Sequence, residues 1–535
     1  MPTQRIAFKE WLPDQPSILD SVSEANNVIP LAVGYGPFKS AVTYSGAASE
    51  NLNNCFAAKL DNDVFIFAGG ATKLFRVDND DLSLIDESKA GGYTGLNRWQ
   101  FLQFGSLAIA SNGSEKIQAF DVNSSTAFAD ASSDAPIAKY ITAVRDFVVG
   151  ANIGAGTSPN KVQWSGINDA TTWTTTATSQ SDYQIIPDGG DITGVVGGEF
   201  GIVFLEKAIV RMSYIGTPLI FQFDTISRNV GCIEGNSIAQ YAGTAYFLSD
   251  DGFYATNGQT LTGIGAEKVD RYFFNNANIG DIDSISAAVD PERNLVIWNY
   301  TNVSGGRSLL IYNFETQKWC EADTDVDYLS TLATPGATLD GLDSAYNVTA
   351  GSFVIGKSYT IRSVGTTDYT LIGAVANTVG VLFTATGAGS GTGVAIDMAA
   401  SAAALKTSDT LVTTLDDRLY KGGKFLFGGV RDTRIITFTG TYATGSIITN
   451  DLEYGYNSVV TNTRAQVDNG AVTISIASRK ELDDAINYSS TVTQNSDGRC
   501  PLRSYGRYHR LKVTPTGTWS HAISVDVDYT QSGGR

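Results

Sequence analysis

The chain has 535 residues and carries 55 acidic against 37 basic side chains, a formal net charge of −18. This length exceeds what one ordinary hydrophobic core serves, so we expect several domains. The negative charge argues against free nucleic acid or an anionic membrane as a general partner. No stretch reaches the roughly 18 apolar residues of a membrane span, and the first residues lack the apolar segment of a secretory signal. We therefore expect a protein that is made and kept soluble in a cytoplasm.

The composition favours an all-β fold. Hydrophobic residues make up 42% of the chain, and 55 glycines stand against 13 prolines, which is typical of short strands joined by tight turns. Helical patterns are confined to residues 398–406, residues 480–487 and the segment before Phe273. The cysteines lie far apart and form no pair motif, so we expect buried thiols in a reducing compartment rather than disulfides: Cys55, Cys232, Cys320 and Cys500.

A repeated pattern runs from about residue 45 to residue 335. Each unit has an approach strand, a turn, a strongly apolar strand, a second turn and a third strand. The spacing of the apolar strands is close to the roughly 40–50 residues of a β-propeller blade, and continuous apolar runs indicate burial on both faces. The six apolar strands are residues 64–68, 107–110, 147–150, 202–205, 245–248 and 295–298.

The pattern predicts a propeller-like ring of about six to seven small sheets, and a series of stacked sandwiches is the alternative. A seventh sheet is expected from residues 411–422 together with chain near the N-terminus. Three short β patterns in a nearly uncharged segment predict a small β domain inserted at residues 344–400. The domains expected are an N-terminal arm (1–44), the propeller body (45–343 and 401–424), the inserted domain and a C-terminal β region (425–535). In that last region, alternating residues from 521 to 529 predict a half-buried antiparallel sheet.

Two glycine motifs invite a nucleotide-binding interpretation. Residues 351–358 read Gly-Ser-Phe-Val-Ile-Gly-Lys-Ser and match the letters of a phosphate-binding loop. Such a loop needs a helix after it, because the helix N-terminus and the loop amides hold the phosphates. Here a strand pattern follows, so we do not expect nucleotide binding. The run 387–393 lies between two strand patterns and is interpreted as a flexible hairpin rather than a dinucleotide loop.

Acidic and histidine residues give no catalytic pattern. Asp323, Asp325 and Asp327 imitate the start of a calcium loop, but the glycine and the terminal glutamate of such a loop are absent. We interpret them as a solvated acidic turn. His509 and His521 are too few for a multi-histidine metal centre, and no nucleophile motif accompanies them. The sequence predicts no catalytic, cofactor-binding or metal-binding residues, no cofactor and no enzyme.

Two segments have the form of blade hairpins. Residues 166–173 (Gly-Ile-Asn-Asp-Ala-Thr-Thr-Trp) approximate the Asp-box turn of propeller blades, with two of its usual residues replaced. The role of that turn is structural: side-chain hydrogen bonds fix it, and the tryptophan wedges between strands. Residues 312–319 likewise combine a turn with a following tryptophan.

Several segments resemble tail proteins of short-tailed bacteriophages. Residues 27–37 (Asn-Val-Ile-Pro-Leu-Ala-Val-Gly-Tyr-Gly-Pro) look like their N-terminal arm. Residues 98–105, 110–113 and 162–173 are similar to their propeller blades, and residues 506–510 and 519–522 to their C-terminal end. The resemblance covers most of the chain except residues 344–400, which look like a small domain of various phage structural proteins. On these motifs the chain resembles the tail hub, or nozzle, family, also called packaged-DNA stabilisation proteins.

The resemblance implies a structural virion protein, assembled in the bacterial host cytoplasm and located in the virion tail. Six copies would form a tube that retains packaged DNA, contacts the tail adaptor and offers sites for tail fibres or a needle. An acidic channel would repel phosphates, so that DNA slides through without sequence-specific binding. The inserted domain would point outward from the ring.

Two alternatives come from other classes. A receptor- or glycan-binding tail protein would use exposed aromatic residues such as Trp99, Trp164 and Trp173, although their repeat-like placement favours blade cores. A propeller glycosidase would need a pair of carboxylates, and the sequence marks none.

Overall fold

The computed structural model describes residues 2–61, 63–79, 82–95, 97–176, 178–334, 347–397 and 423–532. Within these ranges the regular structure is almost entirely β, with one α-helix, α1 (Asp270–Asn276), and three short 3₁₀ helices. The predicted all-β class is confirmed. Five short strands open the chain: β1 (Thr3–Ala7), β2 (Val22–Asn26), β3 (Val28–Pro30), β4 (Tyr35–Pro37) and β5 (Val42–Thr43).

Five blades are continuous four-stranded antiparallel sheets. Blade 1 contains β6 (Leu52–Leu60), β7 (Asp63–Gly70), β8 (Leu74–Val77) and β9 (Leu84–Asp86). Blade 2 contains β10 (Gln100–Phe104), β11 (Leu107–Ser111), β12 (Gln118–Asp121) and β13 (Ala129–Asp130). Blade 3 contains β14 (Ala138–Val144), β15 (Phe147–Ile153), β16 (Ser158–Trp164) and β17 (Asp182–Ile185). Blade 4 contains β18 (Ile192–Val196), β19 (Gly201–Leu205), β20 (Ile209–Gly216) and β21 (Ile220–Ser227). Blade 5 contains β22 (Ala239–Tyr241), β23 (Thr244–Leu248), β24 (Phe253–Thr256) and β25 (Leu261–Gly263).

Blades 6 and 7 join the ring to the rest of the molecule. Blade 6 contains β26 (Ser286–Asp290), β27 (Leu295–Thr301), β28 (Arg307–Asn313) and β29 (Lys318–Thr324). Blade 7 takes its first strand, β30 (Tyr328–Ala333), from before the insertion and its next two, β35 (Phe425–Arg431) and β36 (Arg434–Thr437), from after it. Its fourth strand is β5 of the N-terminal arm, paired through Thr43 and Ile436. The seventh blade is therefore assembled from three distant segments.

The blades form a closed ring. The first strands of successive blades lie against each other, except that β18 of blade 4 contacts the 3₁₀ turn Gly235–Ser237 that leads into blade 5, and β30 of blade 7 packs on β6 of blade 1. Apolar cores lie between neighbouring blades because the middle strands are buried on both faces. Val64 of blade 1 shares a cluster with Val430 of blade 7, and Phe204 of blade 4 packs on Phe247 of blade 5. All six apolar strands expected from the sequence are the second strands of blades 1 to 6, so the predicted propeller is confirmed, with seven blades.

The boundary expected at residue 425 differs from the structure. Residues 425–437 belong to blade 7, because Phe425–Arg431 pairs with Tyr328–Ala333 and continues the apolar contact with blade 1. The segment expected to supply the seventh sheet, residues 411–422, lies outside the described residues. The arm contributes β5 to blade 7, in agreement with the expected participation of chain near the N-terminus. It also contributes β2 to the C-terminal sheet, so it is less separate than the expected domain boundaries indicate.

The inserted domain is a small sheet in the order β31–β34–β32–β33. Its strands are β31 (Asn347–Thr349), β32 (Ser358–Ser363), β33 (Leu382–Thr384) and β34 (Val394–Asp397). Both β33 and β34 pair with β32. The glycine run 387–393 therefore crosses from one side of β32 to the other, and the hairpin interpretation is wrong. Gly393 is needed there because a Cβ would lie 2.6 Å from the Tyr369 hydroxyl.

The C-terminal region consists of β37 (Ser446–Thr449), β38 (Leu452–Val467), β39 (Ala471–Arg479), β40 (Val492–Thr493), β41 (Ser504–Thr516) and β42 (Ala522–Gln531). Its sheet continues through β2 to the outer strand of blade 6. Val525 and Val527 are buried as the alternation predicts, but Ile523 is exposed. A β-bulge at Ile523, where Val467 pairs with Ala522 and Gln466 with Ser524, resets the alternation.

Two smaller expectations have opposite outcomes. Residues 480–487 form turns rather than a helix, because the Asp484 carboxylate accepts the amides of Lys480 and Glu481 and fixes a turn. All four cysteines are free and buried, as predicted.

Candidate functional site at the propeller axis

The first strands of the blades begin at one end of the propeller, and polar side chains meet there across the ring. Gln100, on β10 of blade 2, donates from Nε2 to Asn236 Oδ1 at 3.0 Å. Asn236 lies in the 3₁₀ turn that leads into blade 5. Blades 2 and 5 are three places apart in a ring of seven, which is the widest separation available, so this hydrogen bond crosses the axis.

A second connection runs from blade 2 to blades 7 and 1. Arg98 donates from Nη2 to the Leu329 carbonyl at 3.0 Å. Its guanidinium carbon lies 4.6 Å from the ring centroid of Tyr328. Ser330 donates to Asn54 Oδ1 at 2.8 Å, which brings blade 1 into the same network. Removal from solvent lowers the pKa of Arg98 to about 10, so the guanidinium stays charged at neutral pH.

Glu234 supplies the negative charge of this network. Its Oε1 accepts the Asn236 amide at 3.2 Å and Asn236 Nδ2 at 3.0 Å. Burial raises the pKa of Glu234, while the Asn236 amide and the charges of Lys139 and Arg98 oppose the shift. Because the carboxylate fixes the conformation of the turn, it also aims Asn236 at Gln100.

The network crosses the axis at this end of the propeller. Its members are amides, a guanidinium, a carboxylate, a hydroxyl and one aromatic ring. All except Glu234, which bonds to Asn236 of its own turn, contact a residue of another blade. Such groups can fix the mutual positions of blades, since hydrogen bonds to charged groups contribute about 1.5–3 kcal/mol each. We call this set the axial network: Asn54, Arg98, Gln100, Glu234, Asn236, Tyr328 and Ser330.

A second polar cluster lies where the arm, blade 6 and the C-terminal region meet. Tyr272 donates to Glu321 Oε2 at 2.5 Å, and Glu321 pairs with Asn26 of β2 through the backbone. Burial, together with the nearby charges of Glu24 and Asp323, raises the pKa of Glu321 to about 7. The junction therefore contains a carboxyl group that titrates near neutrality.

The C-terminal region holds two further buried polar groups. Asp451, with a fully buried side chain, accepts from Arg510 Nε at 3.0 Å and pairs with Arg479 at 2.5 Å. Although burial opposes it, Arg510 lowers the pKa of Asp451. His509 lies between the hydroxyls of Ser458 (2.8 Å) and Ser478 (2.7 Å).

His509 is held in its neutral form. Burial lowers its pKa to about 4, and its two ring nitrogens contact hydroxyl groups rather than a carboxylate. His521 is exposed, and its nearest acidic group is Asp468 at 4.0 Å. The fold does not bring the two histidines into one site.

The motifs singled out in the sequence have structural roles. Lys357 of the phosphate-loop imitation pairs with Asp397 at 2.9 Å, and strand β32 follows it, as the pattern predicts. The three aspartates of the acidic turn have separate partners: Asn26 and Asn27 for Asp323, Arg431 for Asp325, and the Asp432 amide for Asp327. Each therefore braces a neighbouring segment, while Asp323 and Asp325 stay exposed, as expected of a solvated acidic turn. Within the described residues, no group of three or more potential ligands is arranged to hold a metal ion.

The Asp-box interpretation of residues 166–173 is confirmed. Asp169 accepts from the Thr171 amide at 2.8 Å and from the Thr172 hydroxyl at 2.6 Å. Trp173 is buried in the core between blades 2 and 3. Trp99 and Trp164 are buried as well, as their repeat-like placement indicates.

The axial network was not found from the sequence. Its members are ordinary polar residues at the starts of first strands, and their meeting depends on the closure of the ring. The Arg98-Trp99-Gln100 segment is the one signal available, because a basic and an amide residue flank a core tryptophan just where a first strand begins.

Comparison with known proteins bears on the fold alone. No family model matches the chain, and no curated protein matches its sequence. The WD40 domain of Pan2 from Neurospora crassa is 9% identical, with a TM-score of 0.34, over 55% of this chain and 88% of that one. BamB from Moraxella catarrhalis is 11% identical, also with a TM-score of 0.34, over 62% of this chain and 94% of that one. In the described part of the chain, no helix is long and apolar enough to span a membrane.

Proposed function

We propose that the chain is a structural subunit of the tail nozzle of a short-tailed phage, acting as a homo-oligomer, a hexamer on the resemblance. The observation that carries this proposal is the axial network. It connects blades 1, 2 and 7 and the turn that leads into blade 5 across the axis, so the passage for DNA is proposed between copies and not along the axis of one propeller.

The charge of the chain supports this function. A surface facing DNA in a conduit must not retain it, and a protein of net charge −18 repels phosphates. A basic lining would instead bind DNA through release of counterions and slow its exit. The proposal includes contacts with the tail adaptor and with fibre or needle proteins.

Glycan recognition through the tryptophans is not favoured. Trp99, Trp164 and Trp173 are 0–2% exposed, so a sugar cannot stack on them without unfolding a blade. For this reason the structural function takes precedence over a receptor-binding one.

The test is the mass of the purified full-length protein, measured alone and after mixing with the other tail proteins of its virion, followed by imaging of any ring. A closed ring whose lumen is predominantly acidic is the expected result. A strict monomer that joins no complex, or a ring with a predominantly basic lumen, would overturn the proposal.

A further inference from the structure

Two arginines from different blades face one aromatic ring at the axial end of the propeller. Arg98 lies just before the first strand of blade 2, Arg307 begins the third strand of blade 6, and Tyr328 begins blade 7. We propose that this arginine pair, Arg98 and Arg307, binds a small tetrahedral oxyanion of the phosphate type. The site goes beyond the structural function proposed above and does not depend on assembly of copies.

The two guanidinium groups lie against the same ring. The guanidinium carbon of Arg98 is 4.6 Å from the ring centroid of Tyr328, and that of Arg307 is 5.7 Å from the same centroid. Removal from solvent is the main cause of the lowered pKa of Arg98, and the positive charge of Arg307 acts in the same direction. An anion in contact with both groups would replace this repulsion with attraction.

Most of the donors of the pair are left for a further acceptor. Arg98 uses Nη2 for the Leu329 carbonyl at 3.0 Å and for Asn54 Oδ1 at 3.4 Å. Arg307 uses Nη1 for the hydroxyl of Ser284 at 3.0 Å and for its carbonyl at 3.3 Å. A guanidinium has five N–H donors in a planar fork. Neither group forms an ion pair with a carboxylate in the described ranges.

One donor of the pair is both buried and unbonded. Arg98 Nε is removed from solvent and has no hydrogen-bond partner within the described chain. A buried donor on a charged group is costly to leave unpaired, and such atoms in native proteins call for an ion or a water as partner. An oxyanion satisfies this donor, because two of its oxygens can accept from neighbouring nitrogens of one guanidinium.

The charges around the pair favour an anion over a cation. The one carboxylate of the axial network, Glu234, bonds to Asn236 instead of pairing with Arg98. Two further charges act on Glu234, those of Lys139 and Asp283, each more weakly than burial does. Among these groups three cations stand against two carboxylates, in a chain whose net charge is −18. This end of the axis is therefore locally positive within an acidic protein.

The number of acceptors selects a tetrahedral oxyanion. A carboxylate has two oxygens, which a single arginine fork occupies in the bidentate arrangement. A phosphate or sulfate has four, so it can serve Arg98 and Arg307 together. Both side chains are half-buried, as is Tyr328, so an ion can reach them from solvent without opening a blade. The bound ion would tie blade 2 to blades 6 and 7.

Thermal unfolding of the full-length protein in inorganic phosphate tests the site. The Tm should rise with phosphate concentration and then level off, because a ligand that binds the folded state alone stabilises it by mass action. Sodium chloride of equal ionic strength should give no saturable rise. Arg307→Gln should weaken the apparent phosphate affinity at least about tenfold, and Arg98→Gln should do the same, because each removes one charged fork.

Arg211→Gln is the matched control. Arg211 also lies over an aromatic ring, 4.3 Å from the centroid of Phe200, and its Nε is likewise buried without a partner. It belongs to the third strand of blade 4 and has no second arginine on its ring among the described residues. Its loss should leave the phosphate affinity unchanged, which separates the arginine pair from a general effect of removing a positive charge.

Crystals grown with tungstate, a heavier tetrahedral oxyanion, locate the ion even where an Arg98 variant fails to fold. The anomalous peak should lie within hydrogen-bonding distance of both Arg98 and Arg307. A wild-type protein without a saturable phosphate effect overturns the proposal. So does an Arg307→Gln protein with wild-type affinity, or a tungstate peak found only elsewhere. None of these results bears on the proposed tail function, which is tested by assembly.

Discussion

The propeller and the C-terminal region join their sheets with different chemistry. Between blades, the cores are apolar, as in the cluster of Leu205 and Val149 between blades 3 and 4, and the polar contacts of the axial network are confined to one end of the ring. The C-terminal region also has an apolar core, continuous with that of blade 6. In addition it buries ionisable groups, namely Asp451 with its two arginines and His509 between two serines.

Because of this difference, we expect the stability of the two regions to respond to different changes, either to a loss of side-chain volume or to a change of pH. Apolar contacts respond to lost volume and are nearly independent of pH, since no proton is exchanged. Buried ionisable groups respond to pH because their pKa values differ between the folded and unfolded states. The C-terminal region and its junction should therefore respond to pH, whereas the response of the propeller should be limited to its few buried ionisable groups, such as Glu234 and Asp270.

The largest effect is expected from Asp451→Asn. Removing the carboxylate charge leaves Arg479 and Arg510 buried without a counter-ion, and breaking a buried pair in this way costs about 3–5 kcal/mol. Urea denaturation of the variant should show this loss of unfolding free energy.

Asp325→Asn is the matched control for this prediction. Asp325 also pairs with an arginine, Arg431, but its side chain is 69% exposed. An exposed pair contributes at most about 1 kcal/mol. Equal losses in the two variants would mean that the Asp451 cluster is solvated, and the distinction between the two regions would fail there.

Next in size are Leu332→Ala and Leu205→Ala, a pair of equal substitutions within the propeller. Each should cost about 2–5 kcal/mol, because a buried leucine is lost and the cavity collapses only in part. Leu332 packs in the core that joins blade 7 to blade 1, whereas Leu205 packs between two continuous blades.

Hydrogen exchange distinguishes these two variants. Blade 7 is held together by three distant segments, so Leu332→Ala should raise exchange first in Phe425–Arg431 and in Val42–Thr43. Leu205→Ala should leave those amides protected. The same exchange pattern in both variants would show that blade 7 opens no more easily than a continuous blade.

Local features of the fold could be predicted from the sequence, whereas features that depend on contacts between distant segments could not. Six blades could be predicted because each is formed by neighbouring chain and its apolar strand is a local signal. For blade 7, the participation of chain near the N-terminus was predicted, but its partner strands were not, since the pairing of Thr43 with Ile436 depends on ring closure over a long separation. The axial network, Asp451 and His509 could not be predicted either, because burial of a polar residue is set by its tertiary neighbours and leaves no local pattern.

A smaller effect is expected from protonation of His509. Its folded pKa is about 4, below the 6.5 of the unfolded chain, so the unfolded state binds more protons between these values. The stability that neutral His509 contributes is fully present above pH 6.5. The free energy of unfolding then falls as the pH drops toward 4, by at most about 1.4 kcal/mol per pH unit. In denaturant titrations, His509→Gln should remove this slope while keeping a hydrogen-bonding side chain between Ser458 and Ser478. A variant with the wild-type slope would assign the acid sensitivity to another group.

The smallest effect, and one of opposite sign, is expected from Glu321. Its folded pKa is about 7, above the 4.5 of the unfolded chain, so between these values the folded state holds the extra proton. Stability therefore falls as the pH rises from 4.5 to 7, by less than about 1.4 kcal/mol per unit because the side chain is partly solvated. Glu321→Gln should lose less stability than the wild type between pH 5 and pH 8. Between pH 4.5 and 6.5 the slope of His509 opposes that of Glu321, so the two single variants, compared with the wild type, reveal the two opposing groups. A Glu321→Gln profile parallel to the wild type above pH 6.5 would mean that the carboxyl is ionised in the folded protein and that the junction is not the pH-responsive part.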